Sequence, residues 1–330
     1  MKRTTTILTI LLAVLMLLAA CSPSQPEKSA APTQEAPQQS EAAEPTPSAE
    51  ATEPDEEEPS VRTVTDVLSR TVDVPEKVEK VISLAPSCTE ILFALGEGDK
   101  VIGVDSFSNY PAETEAIDKV GDFSGPNLEA IVEKAPDVVF AGNGLQEDAI
   151  TSLENLGIAV VAAEARAFEG IEDSIRLMAE VMNASTVQDM IDEMNDGIAQ
   201  AEAVGAALAE KPSVYYAMSY GEMGNWTSGP GSFINTLIEK AGGVCVTADA
   251  PVEWLEYNLE QLALDDPDII LVSSDMGSDA DLSTATGYEN LSAVKNGKVY
   301  VISADIASRP GPRIAEAMME FAQIFAQAGE

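Results

Sequence analysis

The side chains that could do chemistry in this chain are mostly carboxylates. There are 56 Asp and Glu against 18 Lys and Arg, with no histidine, and the formal net charge is −38 at pH 7. Without histidine the common zinc sites, the Ser-His-Asp arrangement and histidine ligation of haem are closed. Serines are plentiful, but no base accompanies them. The glycine loops at 142–144 and 229–231 lack the lysine and the glycine spacing of a phosphate cradle. No carboxylate pair stands apart from the acidic surface as an acid and a base. With no basic patch to meet phosphates, nucleic acid is not an expected partner. The composition points to binding without catalysis, with no metal site and no resident cofactor. A surface this acidic also favours a soluble monomer.

Two carboxylates are singled out by context. Asn127-Leu128-Glu129 and Asn258-Leu259-Glu260 lie 131 residues apart, and in each copy the proline follows seven residues after the glutamate. Pro136-Asp137 then leads into Val138-Val139-Phe140-Ala141, and Pro267-Asp268 into Ile269-Ile270-Leu271-Val272. Each copy reads as a short helix, a turn and a buried strand. The repeat predicts two similar lobes with one acidic side chain at an equivalent point on each. Either glutamate could also do no more than favour its helix N-terminus.

The elements that must position these groups alternate along the chain. Edge strands are expected within Val61 to Val74, with a turn near Ser69-Arg70, followed by a strand over 78–85. Pro86 breaks that strand, and Ser87 reads as a helix N-cap with Glu90 as its reciprocal partner. Further strands are expected at 101–104, 138–141 and 158–161, and helices at 127–135 and 150–156. From about 170 to 210 the strand signal disappears. Ile171, Ile175, Met178 and Met182, then Met190, Ile191, Met194 and Ile198, recur at helical spacing, with an interruption at 183–186. Strands at 214–218, 269–273 and 299–303 and helices at 233–241, 258–265 and 312–328 complete the pattern. The expectation is two Rossmann-like α/β lobes, 61–168 and 212–330, each with a central parallel sheet covered on both faces. A helical connector, 169–211, joins them.

In such sheets ligands bind beyond the carboxyl ends of the strands. The candidates there are Pro86, Ser87, Cys88, Phe107, Tyr110 and Phe123 in the first lobe, and Tyr220, Trp226, Trp254, Tyr257 and Arg309 in the second. Only 5% of the chain is aromatic, yet both tryptophans fall in these loops, where they would give apolar contact at low entropy cost. Trp226 and Trp254 could instead plug the second lobe's own core, and Arg309 could be an ion-pair partner. Cys88 and Cys245 fall in different lobes and are expected as buried free thiols, since a bridge between lobes would limit closure.

The N-terminus reads as an export segment. Lys2 and Arg3 precede a 14-residue apolar run from Ile7 to Ala20, too short for a comfortable membrane span. Small residues before Cys21 have the pattern of a bacterial lipid-attachment site. Residues 1–20 are expected as a signal peptide. Residues 21–60, rich in Pro, Ala and Glu, are expected as an unstructured tether. A lipid-anchored protein outside the membrane, in a Gram-positive type of envelope, would fit both.

The segment Val81-Ile82-Ser83-Leu84-Ala85-Pro86-Ser87-Cys88-Thr89-Glu90-Ile91-Leu92-Phe93-Ala94-Leu95-Gly96 resembles the opening of the helical-backbone substrate-binding proteins of bacterial ABC importers. It is most like the cobalamin-binding members, with iron-siderophore and haem binders as near relatives. Similar matches are Val104 to Pro111, Lys134 to Asp137, Thr227 to Phe233, Ala241 to Gly243, Val294 to Gly297 and Ser308 to Ile314. Cys88 departs from the asparagine often found there. The resemblance implies the class III periplasmic-binding-protein fold, in which a long rigid α-helix joins the lobes. It also implies capture of cargo between the lobes and delivery to a permease dimer with cytoplasmic ATPases. Glu129 and Glu260 match the glutamates that dock on permease arginines. A corrinoid, large and modestly charged, suits an aromatic, charge-poor cleft. The alternatives are an iron(III)-siderophore, which would call for several cations, and haem, which would need Tyr or Met as its axial ligand.

Overall fold

The computed structural model describes residues 60–122, 125–142, 147–277 and 280–329. The expected signal peptide, Cys21, the expected tether up to residue 59, and Phe123 lie outside the described residues. An antiparallel hairpin of β1 (Val61–Thr65) and β2 (Thr71–Pro75) opens the described chain. Its turn is held by the Asp66 carboxylate, which accepts from the Leu68 and Arg70 amides and from the Arg70 guanidinium.

The first lobe continues through β3 (Val81–Ser83), α1 (Pro86–Ala94), β4 (Val101–Asp105), β5 (Lys119–Asp122), β6 (Gly125–Pro126), α2 (Leu128–Lys134), β7 (Val138–Ala141), α3 (Glu147–Asn155) and β8 (Val160–Ala162). Two helices, α4 (Ile171–Met182) and α5 (Val187–Ala206), then lead to the second lobe. That lobe contains β9 (Ser213–Ala217), β10 (Trp226–Ser228), α6 (Phe233–Lys240), β11 (Val244–Cys245), β12 (Trp254–Glu256), α7 (Leu259–Asp265), β13 (Ile269–Ser273), α8 (Ser292–Lys295), β14 (Val299–Ile302), α9 (Ala304–Ser308) and α10 (Ile314–Ala328).

The two main sheets share one winding. The first has the order β6-β5-β4-β3-β7-β8, and the second β11-β9-β13-β14. All neighbours are parallel except the β5–β6 pair at the edge. In both lobes the first strand (β3 or β9) lies inside, the next strand of the sheet (β4 or β11) pairs on one flank, and a later one (β7 or β13) crosses to the other. This is the doubly wound pattern, with a crevice where the winding reverses.

The sequence repeat occupies equivalent places in the two windings. Asn127 and Asn258 cap α2 and α7 by accepting from first-turn amides. Each helix ends in a left-handed residue, Ala135 with φ +45° and Asp266 with φ +38°, just before the proline. The following aspartate then ties down the start of the inner strand. Asp137 accepts from the Glu79 and Lys80 amides, and Asp268 from the Ser213 amide and hydroxyl.

The connector is two helices, because Asn183 adopts φ +56° and closes α4. The 20-residue α5 packs along α10. One apolar core runs from the first lobe (Val81, Ile91, Phe140) through the helices (Ile175, Met194, Phe321) into the second lobe (Val214, Leu271). Met190 and Met194 are therefore core residues, and the shared core resists wide separation of the lobes. Where α5 meets the end of α6 there is no room for a side chain. A Cβ on Gly205 would lie 2.4 Å from the Ala241 carbonyl oxygen, and one on Gly242 would lie 2.7 Å from the Gly205 Cα. Gly205→Ala should destabilise the protein by about 1–3 kcal/mol through overpacking. A urea unfolding curve measures this, and an unshifted midpoint would show that the helices part freely here.

One capping expectation is corrected. Ala85, not Ser87, occupies the N-cap of α1, and no side chain caps it. Proline at the first helical position has no N–H to satisfy. Ser87 and Glu90 are thereby left for other partners.

Candidate functional site

Segments that leave the carboxyl edges of the two sheets meet. The loop 106–111 leaves the end of β4, while α9 and the turn to α10 leave the end of β14, and the two segments touch. Asn109 donates from Nδ2 to Asp305 at 2.9 Å. Arg309 donates to the Asn109 side-chain oxygen at 2.9 Å and to the Phe107 carbonyl at 3.1 Å. The Arg313 guanidinium lies 3.8 Å from the centre of the Tyr110 ring. Cation–ring contact of this kind is favourable.

Beneath these contacts lies a buried charge cluster. Glu90 is 3% exposed. Its Oε1 accepts from Arg309 at 2.9 Å and from Arg313 Nη2 at 2.5 Å, and its Oε2 accepts from Arg313 Nε at 2.8 Å. Arg309 also donates to Asp305 at 2.6 Å. A lone buried carboxylate would be costly, and the paired guanidinium groups offset that cost. Arg309, expected as a possible anion contact in the cleft, is instead 8% exposed and committed to these partners.

The aromatic loop itself is rigid. Asp105 accepts from the Phe107 amide at 2.7 Å and from the Ser108 hydroxyl at 2.5 Å. Lys119 donates to the Ser108 and Thr114 carbonyls. On this scaffold Phe107 and Tyr110 remain 37% and 45% exposed.

In the second lobe, β10 and β12 form an antiparallel ribbon separate from the main sheet. Trp226 pairs with Glu256, and Ser228 with Trp254. Paired and next-but-one residues share a face, so the two indoles lie diagonally on one side of the ribbon. They are 39% and 41% exposed, so they do not plug the second lobe's core. That task falls to tyrosines. Tyr220 meets Tyr288 edge-on with ring centres 6.0 Å apart, and Tyr257 lies 5.8 Å from Tyr215. Tyr257 donates its hydroxyl to Asp265 at 2.6 Å. Burial, with the Asp265 contact second, pushes that hydroxyl's pKa above its ordinary value.

The remaining sequence candidates divide by burial. Pro86 is half-buried at the start of α1. Ser87 is buried and donates to Glu164 Oε1 at 2.8 Å. Cys88 is wholly enclosed in the core, so its thiol does not line a cleft; burial raises its pKa well above the ordinary thiol value. Cys88 and Cys245 are free and buried, as expected. Glu129 and Glu260 are both exposed, each in the first turn of its helix.

Sequence reasoning missed Glu164 and the β10–β12 ribbon, and it gave Arg313 no role of its own within the candidate run 308–313. Glu164 follows β8 at the carboxyl edge, and a Cβ on Gly142 would approach it to 2.9 Å. Arg313 carried a signal, as one of two arginines within five residues of a cation-poor chain. The ribbon strands are three residues each, too short for periodicity to mark.

Comparison with known proteins agrees with this geometry. Residues 81–306 match the family model described as periplasmic binding protein. An ABC transporter substrate-binding lipoprotein of Bacillus subtilis, itself uncharacterised, is 30% identical over 268 residues, covering 79% of this chain and 84% of the relative. A cobalamin-binding protein of Halobacterium salinarum is 29% identical over 272 residues, covering 79% and 73%. The crystal structure of a vitamin B12-binding protein of Vibrio cholerae superposes with a TM-score of 0.67 at 26% identity, covering 76% of this chain and 98% of that one. A haem-binding protein of Roseiflexus sp. RS-1 shares the fold, with a TM-score of 0.69 at 24% identity over 77% of this chain and 100% of that one. The chain belongs to the periplasmic binding protein family, as a non-catalytic solute-binding component of an ABC importer built on two α/β lobes joined by helices.

Proposed function

We propose that this protein captures a corrinoid of the cobalamin type between its lobes and delivers it to the importer's permease. The observation that carries the reading is the pairing of exposed aromatic side chains with neutralised cations. Phe107 and Tyr110 are exposed in the first lobe, and Trp226 and Trp254 in the second. The arginines that approach them are bound to Glu90 and Asp305. Glu222, Glu253 and Glu256 are exposed on or beside the ribbon. A large, modestly charged ring system with amide arms suits such surroundings, because its N–H groups can donate to carboxylates. An anionic catecholate–iron complex or the propionates of haem would meet like charge, which is unfavourable. The cobalamin-binding relatives support the same choice.

Haem is the second reading, favoured by the exposure of Tyr110 and Met223, side chains of the types that can ligate its iron. Titrating the protein with cyanocobalamin, a ferric catecholate and haemin, with tryptophan fluorescence as the readout, separates the cases. Quenching by cobalamin at the lowest concentration supports the corrinoid. Saturable quenching by another ligand, with none by cobalamin, overturns it.

Delivery rests on Glu129 and Glu260 as the two feet on the permease. Their equivalent places in the repeat, and their exposure, support this assignment. Residues 61–168, 169–211 and 212–330 are taken as the two lobes and their connector. Lipid attachment at Cys21 after removal of residues 1–20, with 21–60 as a leash, would hold the protein at the outer face of the membrane.

A further inference from the structure

Two segments far apart in the chain meet each other in space. One is the Thr89-Glu90 pair on α1, and the other is Arg309-Pro310-Gly311-Pro312-Arg313 between α9 and α10. They are about 220 positions apart in the chain and belong to different lobes. Arg313 approaches Glu90 as a two-pronged fork, Nε to Oε2 and Nη2 to Oε1. Only a guanidinium offers that geometry; an ammonium would act as a point charge. Arg309 adds a third donor to the same carboxylate. The outer faces of both arginines then hold the aromatic loop. Arg313 lies against the Tyr110 ring, while Arg309 grips the Phe107 carbonyl and the Asn109 side chain.

We infer that Glu90, Arg309 and Arg313 form an interlobe latch that holds the loop bearing Phe107 and Tyr110 at a fixed distance from the second lobe before cargo arrives. The three are positioning residues, and they act on cargo through Phe107 and Tyr110. Fixing two contact surfaces in advance strengthens binding by removing the ordering cost from the binding step. The latch also complements the shared helical core: the core resists separation along the helices, and the latch pins the carboxyl edges. The inference rests on the reading that cargo is held between the lobes.

The test uses Glu90→Gln, which keeps the side chain's shape and removes its charge. Spin labels would be placed at Glu133→Cys on α2 and Leu264→Cys on α7, both exposed positions, in a Cys21→Ser background. The buried Cys88 and Cys245 stay in place. The expected result is a broader label-to-label distance distribution without cargo, and cyanocobalamin affinity at least about tenfold weaker through faster dissociation. Arg313→Lys provides a second variant should Glu90→Gln fold poorly; it keeps the charge, loses the fork, and should give the same two changes in milder form. A folded variant with an unchanged distance distribution overturns the latch. A broadened distribution with unchanged cargo affinity overturns its positioning role. If the parent protein binds haemin and not cobalamin, the corrinoid reading fails, and the same pair of measurements with haemin decides the latch.

Discussion

Removing both indoles, as Trp226→Ala with Trp254→Ala, should weaken corrinoid binding about 100-fold or more in a protein that still folds. Each tryptophan leaves about 40% of its surface exposed. Covering that area with cargo would contribute about 2 kcal/mol per ring at ordinary apolar transfer values. Such contributions are not additive, and 1.4 kcal/mol is tenfold in affinity, so about two decades is a conservative expectation. Because the rings stand on a ribbon outside the main sheet, they hold up little of the core. The buried part of each indole still contributes to stability, so a loss of a few kcal/mol in unfolding free energy is expected. Calorimetric titration of the double variant with cyanocobalamin provides the measurement. Unchanged affinity in the folded double variant would move the cargo surface elsewhere.

Glu129→Ala combined with Glu260→Ala should abolish cargo import while leaving cargo affinity unchanged. Both carboxylates are exposed, each in the first turn of its helix, and among the described residues no hydrogen bond or ion pair ties either side chain to the aromatic loop or the arginines. Each also lies in a first helical turn, where a negative charge contributes about 0.3–1 kcal/mol. A small stability loss is therefore expected, and it is not itself a sign of docking. Import by the permease and its ATPases in proteoliposomes, compared with cargo binding by the free protein, separates the roles. Import at the parent rate would contradict docking through this pair. Lost cargo affinity with intact permease binding would assign the glutamates to the cleft instead.

Much of the architecture was legible because strong local signals agreed with the tertiary fold. Ile269 to Ser273 is an apolar run bounded by Pro267-Asp268, and it forms a strand over those residues. The Asn-Leu-Glu units were read as equivalent points, and the sheets place them at equivalent steps of the winding. The connector's interruption at 183–186 was also visible, because Asn183 tolerates the left-handed conformation that ends α4.

The site was less legible. Glu90 stood three residues after Ser87 in the spacing of a reciprocal cap, and that local rule was overridden by arginines more than 200 positions away. Cys88 is adjacent to a cleft-edge serine, yet the helix turns its side chain into the core. Tyr220 and Tyr257 were grouped with the tryptophans by type. Their partners, Tyr288 and Tyr215, come from other elements, and no local pattern announces such pairings. Contacts between segments distant in the chain decided each of these outcomes.

The central claim is selectivity for a corrinoid, and equilibrium dialysis against an equimolar mixture of cyanocobalamin, haemin and a ferric catecholate tests it most directly. The protein compartment should retain cobalamin at one per chain and exclude the two anionic iron complexes. Retention of haemin or the ferric catecholate in place of cobalamin would contradict it.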